Sequence, residues 1–364
     1  MSEVDLKENC TRFLTHHGSF FSSTPADDFQ ALADWCKDTN ATHDRYGVGG
    51  TIQAFEEKLA RQLGLEAAKF CMTGVAAQVV ALRLACDIKR NQRVLAHPTS
   101  HLLLHENQNG QLYDWFKLLP VGSPYRPLTA DTLHTRADPA AALIYELPMR
   151  EIGGQLPEWE ELQQIKAWAA ENNVHLHMDG ARLWEAANGY GKSLEDVCRG
   201  FDSVYVSFYK GIGALSGATL LGSADFISRA RTDIQRQGAT VFRHTPFVTS
   251  AAMQFDKRIE ELPRCFTRTK ELFEILQQYP GLTPNPEHPH CNMLHLYMPV
   301  SKSRAEAIRD AVAAKHRIWL FNNASDAALP NQSYFEWYVG DNLLAMDDAD
   351  LHLALSGLCE GFSG

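Results

Sequence analysis

The sequence predicts an α/β protein, with a large domain around a mostly parallel sheet and a small C-terminal α+β domain. Three observations predict it. Short apolar runs alternate with helical or loop stretches up to about residue 250. Beyond that point the pattern changes to a long helix followed by strands and helices in mixed order. Of the 364 residues, 45% are hydrophobic and 21% charged, enough to build a sizeable core and too apolar for a disordered chain.

The elements follow in order. Residues 1–45, with Gly18, Ser19 and Pro25, read as an irregular N-terminal segment. A helix starts at Thr51, carries Ile52, Phe55, Leu59 and Leu63 on one face, and stops at Gly64. Apolar runs at residues 67–71, 93–96, 115–121, 141–146, 174–178 and 203–208 read as strands. Between the runs at 141–146 and 174–178, Leu162, Ile165 and Ala169 share a helical face, and Asn172-Asn173 ends it. Residues 46–250 therefore form the large domain. Residues 251–364 form the small one: a helix near 264–278, a strand at 293–300, a helix from Ser303, strands at 317–321 and 333–339, and a terminal helix.

Composition narrows the function. The net charge of −10 argues against a nucleic-acid partner and against a polybasic membrane anchor. No apolar run approaches the roughly 20 residues of a spanning helix. The N-terminus MSEVDLKENC lacks the apolar core of a signal peptide. Eight scattered cysteines without a CxxC pair read as reduced thiols, so a cytoplasmic protein is expected.

The chemistry concentrates in three places. The run 174–178 ends in Asp179, where parallel sheets place their ligands. The run 203–208 leads to Tyr209-Lys210 and the glycine-rich GIGALSG. A lysine buried at a strand end loses basicity, which suits Schiff-base chemistry, and a carboxylate can hold a proton on a pyridine nitrogen. Thr73-Gly74, opening a helix after the run 67–71, offers a hydroxyl and backbone N–H groups to a phosphate. Alone, each is an ordinary turn or cap; together they match the needs of pyridoxal 5′-phosphate (PLP).

The segments HMDGARLWEAA, SFYKGIGALSG, YGVGGTIQAFEEKLARQLGLEAAKFCMTGVAAQ and FISRARTDIQRQGATVFRHT resemble threonine aldolases of the β-eliminating lyase group. The resemblance implies the fold of PLP-dependent transferases, fold type I, as in aspartate aminotransferase. It implies that Lys210 carries the cofactor, Asp179 pairs with its ring nitrogen, and His101 stacks on the ring and is the candidate base. Arg182 would meet a cofactor oxygen or the substrate carboxylate, Thr73, Gly74 and Val75 the phosphate, and Ser19 the substrate carboxylate. Arg243 falls on an arginine lent to a neighbouring subunit, which implies a homodimer or homotetramer. The implied reaction splits a β-hydroxy amino acid into glycine and an aldehyde. The alternatives are β-elimination from a Cys- or Ser-like amino acid, and a PLP-binding protein with little catalysis.

The chain departs from that pattern. TGVAAQ loses a hydroxyl contact at Val75, Tyr209 precedes the lysine in place of a small residue, and ELPMREIGG lacks the Asn-Thr-His-Asn wording. Trp337, in FEWYVGD, falls where the family carries a carboxylate-binding arginine, and is expected to turn the site toward bulkier substrates. His175, His177 and Asp179 on one strand face form a rival metal cluster, but no further histidine at metal spacing joins them, and no metal is expected.

Overall fold

The computed structural model describes residues 3–15, 24–135 and 138–363. In chain order its strands are β1 (Arg12–Phe13), β2 (Ala67–Cys71), β3 (Arg93–Ala96), β4 (Lys117–Pro120), β5 (Ala142–Glu146), β6 (His175–Gly180) and β7 (Ser203–Ser207). Then follow β8 (Ala218–Gly222), β9 (Thr283–Asn285), β10 (Met293–Met298), β11 (Ile318–Trp319), β12 (Ser325–Asp326) and β13 (Ser333–Tyr338).

The larger unit, Pro25–Glu151 with Leu156–Glu260, is built on a seven-stranded sheet of order β2-β8-β7-β6-β5-β3-β4. Strands β4, β3, β5, β6 and β7 run parallel. Continuous burial along β6 and β7 fits strands covered on both faces. The helix Gly74–Lys89 carries two apolar stripes. Val79, Leu82 and Ala85 pack with Val94, Ala142 and Ile144. Val80, Ala81 and Leu84 pack with Leu220 and with Ile227 and Ile234 of the helix Ala224–Arg236. Each fully buried aliphatic side chain contributes about 1.5–3 kcal/mol.

Strand β8, absent from the sequence expectation, is the antiparallel member. It pairs with β7 on one side and β2 on the other. Two antiparallel pairings in succession return β2 to the direction of β7. The C-terminal ends of β2, β3, β5, β6 and β7 therefore share one edge of the sheet. That edge receives Thr73-Gly74, His101, Glu146, Asp179 and Lys210.

The smaller unit comprises the chain up to Thr24, Ile152–Gln155 and Glu261–Gly364. Its antiparallel sheet has the order β12-β13-β10-β9, and β1 pairs in parallel with β11. Phe335 and Trp337 of β13 enter a core with Leu294, Leu296, Leu351 and Leu355. Two expectations are corrected. Residues 1–45 are not one irregular segment: Glu3–Glu8 and Pro25–Asp38 are helical, and they fall in different units. The boundary expected after residue 250 falls instead at Glu261, inside the 32-residue helix Thr245–Leu276, with Pro263 just beyond it.

Candidate active site

Lys210 stands in the loop between β7 and β8, and the loop is closed on itself. Phe208 N–H donates to Gly217 O (3.1 Å), Ala214 N–H to Phe208 O (2.7 Å) and Gly213 N–H to Lys210 O (3.1 Å). The Phe208 ring anchors it among Phe55, Phe70, Trp184 and Phe255. At Gly217 φ is +116°, and a Cβ there would strike the Phe70 ring, so only glycine closes the turn. Burial and the Arg182 guanidinium push the Lys210 ammonium below its ordinary range, while Asp179 and Glu146 oppose the fall.

Asp179 and Glu146 are register partners on the adjacent parallel strands β6 and β5, so the two carboxyls lie side by side on one face. Asp179 is buried and accepts the Ala181 N–H at Oδ1 (3.1 Å). Glu146 accepts the Arg150 N–H at Oε1 (3.2 Å), and burial with the Asp179 charge pushes it up to about 8. His101 opens the short helix His101–Leu104 after β3, its ring 5.0 Å from that of His105. Burial and the Lys210 charge bring His101 down to about 4, leaving it neutral at pH 7. Its basicity is correspondingly weak.

Thr73 caps the helix Gly74–Lys89, its Oγ1 accepting the Ala76 N–H (3.2 Å). The first N–H groups of a 16-residue helix then point outward beside Gly74 and the half-exposed Val75, a favourable seat for an anion. A Cβ at Gly74 would collide with the Tyr205 hydroxyl, so the cradle closes only around glycine.

Thus Lys210, Asp179, Arg182 and His101, expected from the sequence, come together electrostatically, with Thr73, Gly74 and Val75 on the same sheet edge. Ser19 lies outside the described residues. Arg243 is exposed and donates to Asp44 O (3.4 Å), beside an edge-on pair of exposed rings, Tyr46 and Phe242. Trp337 is the correction: it is 0% exposed and packs in the smaller unit's core, not on an open face of its strand. Glu146, Glu106 and Arg150 are the residues that sequence reasoning misses. Glu146 had a signal, since it ends an apolar run as Asp179 does.

Glu106 is 7% exposed, and neither carboxyl oxygen has a hydrogen-bond partner. Burial and the Asp179 charge push it up to about 7, against Lys210. The folded chain thus holds a proton that the unfolded chain releases near the ordinary 4.5. The stability this gives is intact below that value and lost as pH rises through 7. Glu106→Gln is expected to leave the cofactor-free chain unchanged at pH 4 and to stabilise it by about 3 kcal/mol at pH 8. Urea unfolding at both pH values checks this; equal midpoints at pH 8 would mean that the carboxylate is compensated.

Comparison with known proteins bears on this site. The family model for beta-eliminating lyases matches residues 23–298. A low specificity L-threonine aldolase of Saccharomyces cerevisiae is 30% identical over 203 residues, covering 54% of this chain and 52% of the yeast protein. With a second fungal aldolase at 50%, the chain spans about half the length of the first curated relatives it matches. An Arabidopsis thaliana low-specificity L-threonine aldolase is 25% identical over 301 residues, 78% of this chain and 82% of that one. Among solved structures, a Listeria monocytogenes protein provisionally named an L-allo-threonine aldolase is 35% identical, with TM-score 0.90 over 98% of both chains. A Sphingomonas wittichii serine palmitoyltransferase, 14% identical with TM-score 0.70 over 96% of this chain and 86% of that one, shares the fold alone.

Proposed function

Because the chain belongs to the beta-eliminating lyase family, we propose that it is a PLP-dependent lyase that splits a β-hydroxy amino acid into glycine and an aldehyde. The observation that carries this is the convergence at one sheet edge of a lysine with lowered basicity, a buried carboxylate and an anion-binding helix start.

The residues fit the cofactor. Ser100 Oγ and both Glu106 oxygens are buried without hydrogen-bond partners, as expected of a pocket shaped for a polar guest. Lys210 would hold the cofactor's aldehyde carbon, Asp179 its ring nitrogen, Arg182 an oxygen, and Thr73, Gly74 and Val75 its phosphate. When bound, PLP supplies an electron sink for charge that develops at the substrate's Cα. Asp179 would keep a proton at the ring nitrogen, and the reduced basicity of Lys210 leaves more of its amine unprotonated and nucleophilic. His101 would lie against the ring and, neutral but weakly basic, is suited to orient a water that accepts the substrate's hydroxyl proton.

A second copy of the chain is part of this reading. Exposed Tyr46, Val48 and Phe242 beside Arg243 support an apolar seam from which that arginine would enter a partner's site. Eight free cysteines support a reducing, cytoplasmic compartment. Among the described residues no helix is long and apolar enough to cross a membrane.

A panel of amino acids incubated with the holoenzyme tests the proposal. Aldehyde from L-threonine, L-allo-threonine or phenylserine is the expected product. Pyruvate and ammonia from serine or cysteine, without aldehyde, would replace it with β-elimination.

A further inference from the structure

The edge of the large sheet opposite to the one that carries Asp179 and Lys210 holds a separate cavity. It measures about 260 Å³ and lies where β2 begins, whereas Thr73-Gly74 follows the other end of that strand. Its remaining walls are the loop 47–49, one face of the helix Gly50–Leu63, and Arg231 of the helix Ala224–Arg236. All of them belong to the larger unit. The helix Gly50–Leu63 turns its apolar stripe, from Ile52 to Leu63, into the core and so leaves Gln53, Glu56 and Glu57 along the cavity.

The charges on the lining are unevenly satisfied. Glu56 is buried and offset: Lys69 Nζ stands 3.1 Å from its Oε1, and the same oxygen accepts the Phe70 N–H at 2.8 Å. Glu57 and Glu66 are exposed, and each is held through one oxygen. Gln53 Nε2 donates to Glu57 Oε1 (3.0 Å), and the Ala224 N–H to Glu66 Oε2 (2.8 Å). Their other oxygens have no hydrogen-bond partner among the described residues, and neither does the exposed guanidinium of Arg231. Burial pushes the Glu56 carboxyl up, and Lys69 and, behind it, Arg231 oppose the rise.

Such a lining selects by charge pattern. Two carboxylates with an oxygen to spare call for two cationic groups, and an unpaired guanidinium calls for a carboxylate. With Lys69 offsetting Glu56, two negative charges face one positive, so a guest with one excess positive charge balances the lining. At about 30 Å³ per water the space equals about nine waters, room for a compact molecule of about ten non-hydrogen atoms.

We propose that this cavity binds a free diamino acid of the lysine type, its two ammonium groups meeting Glu57 and Glu66 and its carboxylate meeting Arg231. The site is separate from the one at Lys210 and does not depend on the reaction assigned there. Its guest would bridge the helices Gly50–Leu63 and Ala224–Arg236 across the start of β2.

The test is equilibrium dialysis of holoenzyme, first reduced with borohydride to block Lys210, against radiolabelled L-lysine, norleucine and cadaverine. Norleucine lacks the terminal ammonium, and cadaverine lacks the carboxylate. About one lysine per chain is expected to bind, at least about tenfold tighter than either analogue. Arg231→Gln is expected to weaken lysine about tenfold and to tighten cadaverine, because the lost cation repelled the dication. Glu57→Gln is expected to weaken both about tenfold. Damage to the fold would move every ligand the same way, so the opposite shifts in Arg231→Gln separate recognition from structure. No saturable binding of lysine to the reduced holoenzyme would overturn the inference. So would norleucine binding as tightly as lysine, or lysine affinity in Arg231→Gln within about twofold of wild type. If borohydride fixes no cofactor to the chain, the PLP reading falls, and dialysis of the untreated chain still decides on the cavity.

Discussion

Lys210→Ala is expected to lower turnover by about a thousandfold or more, because among the described residues no second lysine acts on the groups at that strand end. Two readouts separate loss of chemistry from loss of fold. Borohydride treatment followed by mass spectrometry should fix cofactor mass to the wild-type chain and none to the variant. The melting temperature should stay close to wild type, since the loop is closed by the backbone bonds of Phe208, Gly213 and Ala214 and by the Phe208 ring cluster, none of which uses the lysine side chain. Activity within tenfold of wild type would sink the assignment of Lys210.

Asp179→Asn is expected to cost about a hundredfold to a thousandfold in kcat while leaving cofactor bound. The amide can still accept the Ala181 N–H, so the turn after β6 should survive. What disappears is the buried carboxylate that, on the proposed reading, would keep a proton on a ring nitrogen. The same charge supports Lys210 and pushes up Glu146 and Glu106, so the variant should lower all three pKa values. The absorbance–pH profile of the holoenzyme, set beside kcat, checks both effects together. An unchanged kcat would reduce Asp179 to a turn residue.

Asp179, Lys210 and Thr73 were legible in the sequence for a simple reason. Each follows the end of an apolar run, and in a mainly parallel sheet the run ends gather at one edge whatever the strand order. Glu146 stands in the same kind of place, but its importance comes from Asp179 lying directly across from it. That pairing needs β5 and β6 to be neighbours, which neither run states alone. Glu106 stayed hidden because a carboxylate after a short helix reads as surface, and only the packed structure buries it. Strand β8 begins behind a glycine-rich loop whose backbone turns the chain back on itself, so periodicity gives no warning of its direction. Trp337 shows a different limit. Counting along a strand finds a position, but a step of one residue exchanges the core face for the open one. Glu336, its half-exposed neighbour, occupies the other face.

Both ends of the chain belong to the smaller unit, where Arg12 is paired with Ile318. During translation β1 leaves the ribosome early and has no partner until β11 emerges about three hundred residues later, a wait of about 15–60 s at ordinary elongation rates. The strands of the larger unit, by contrast, are all synthesised before Glu261. The sheet edge that carries Asp179 and Lys210 can therefore assemble while β1 is still waiting. The ring of Phe13, half-buried against Ala313 and Trp319 in the folded chain, lacks that cover for the same interval.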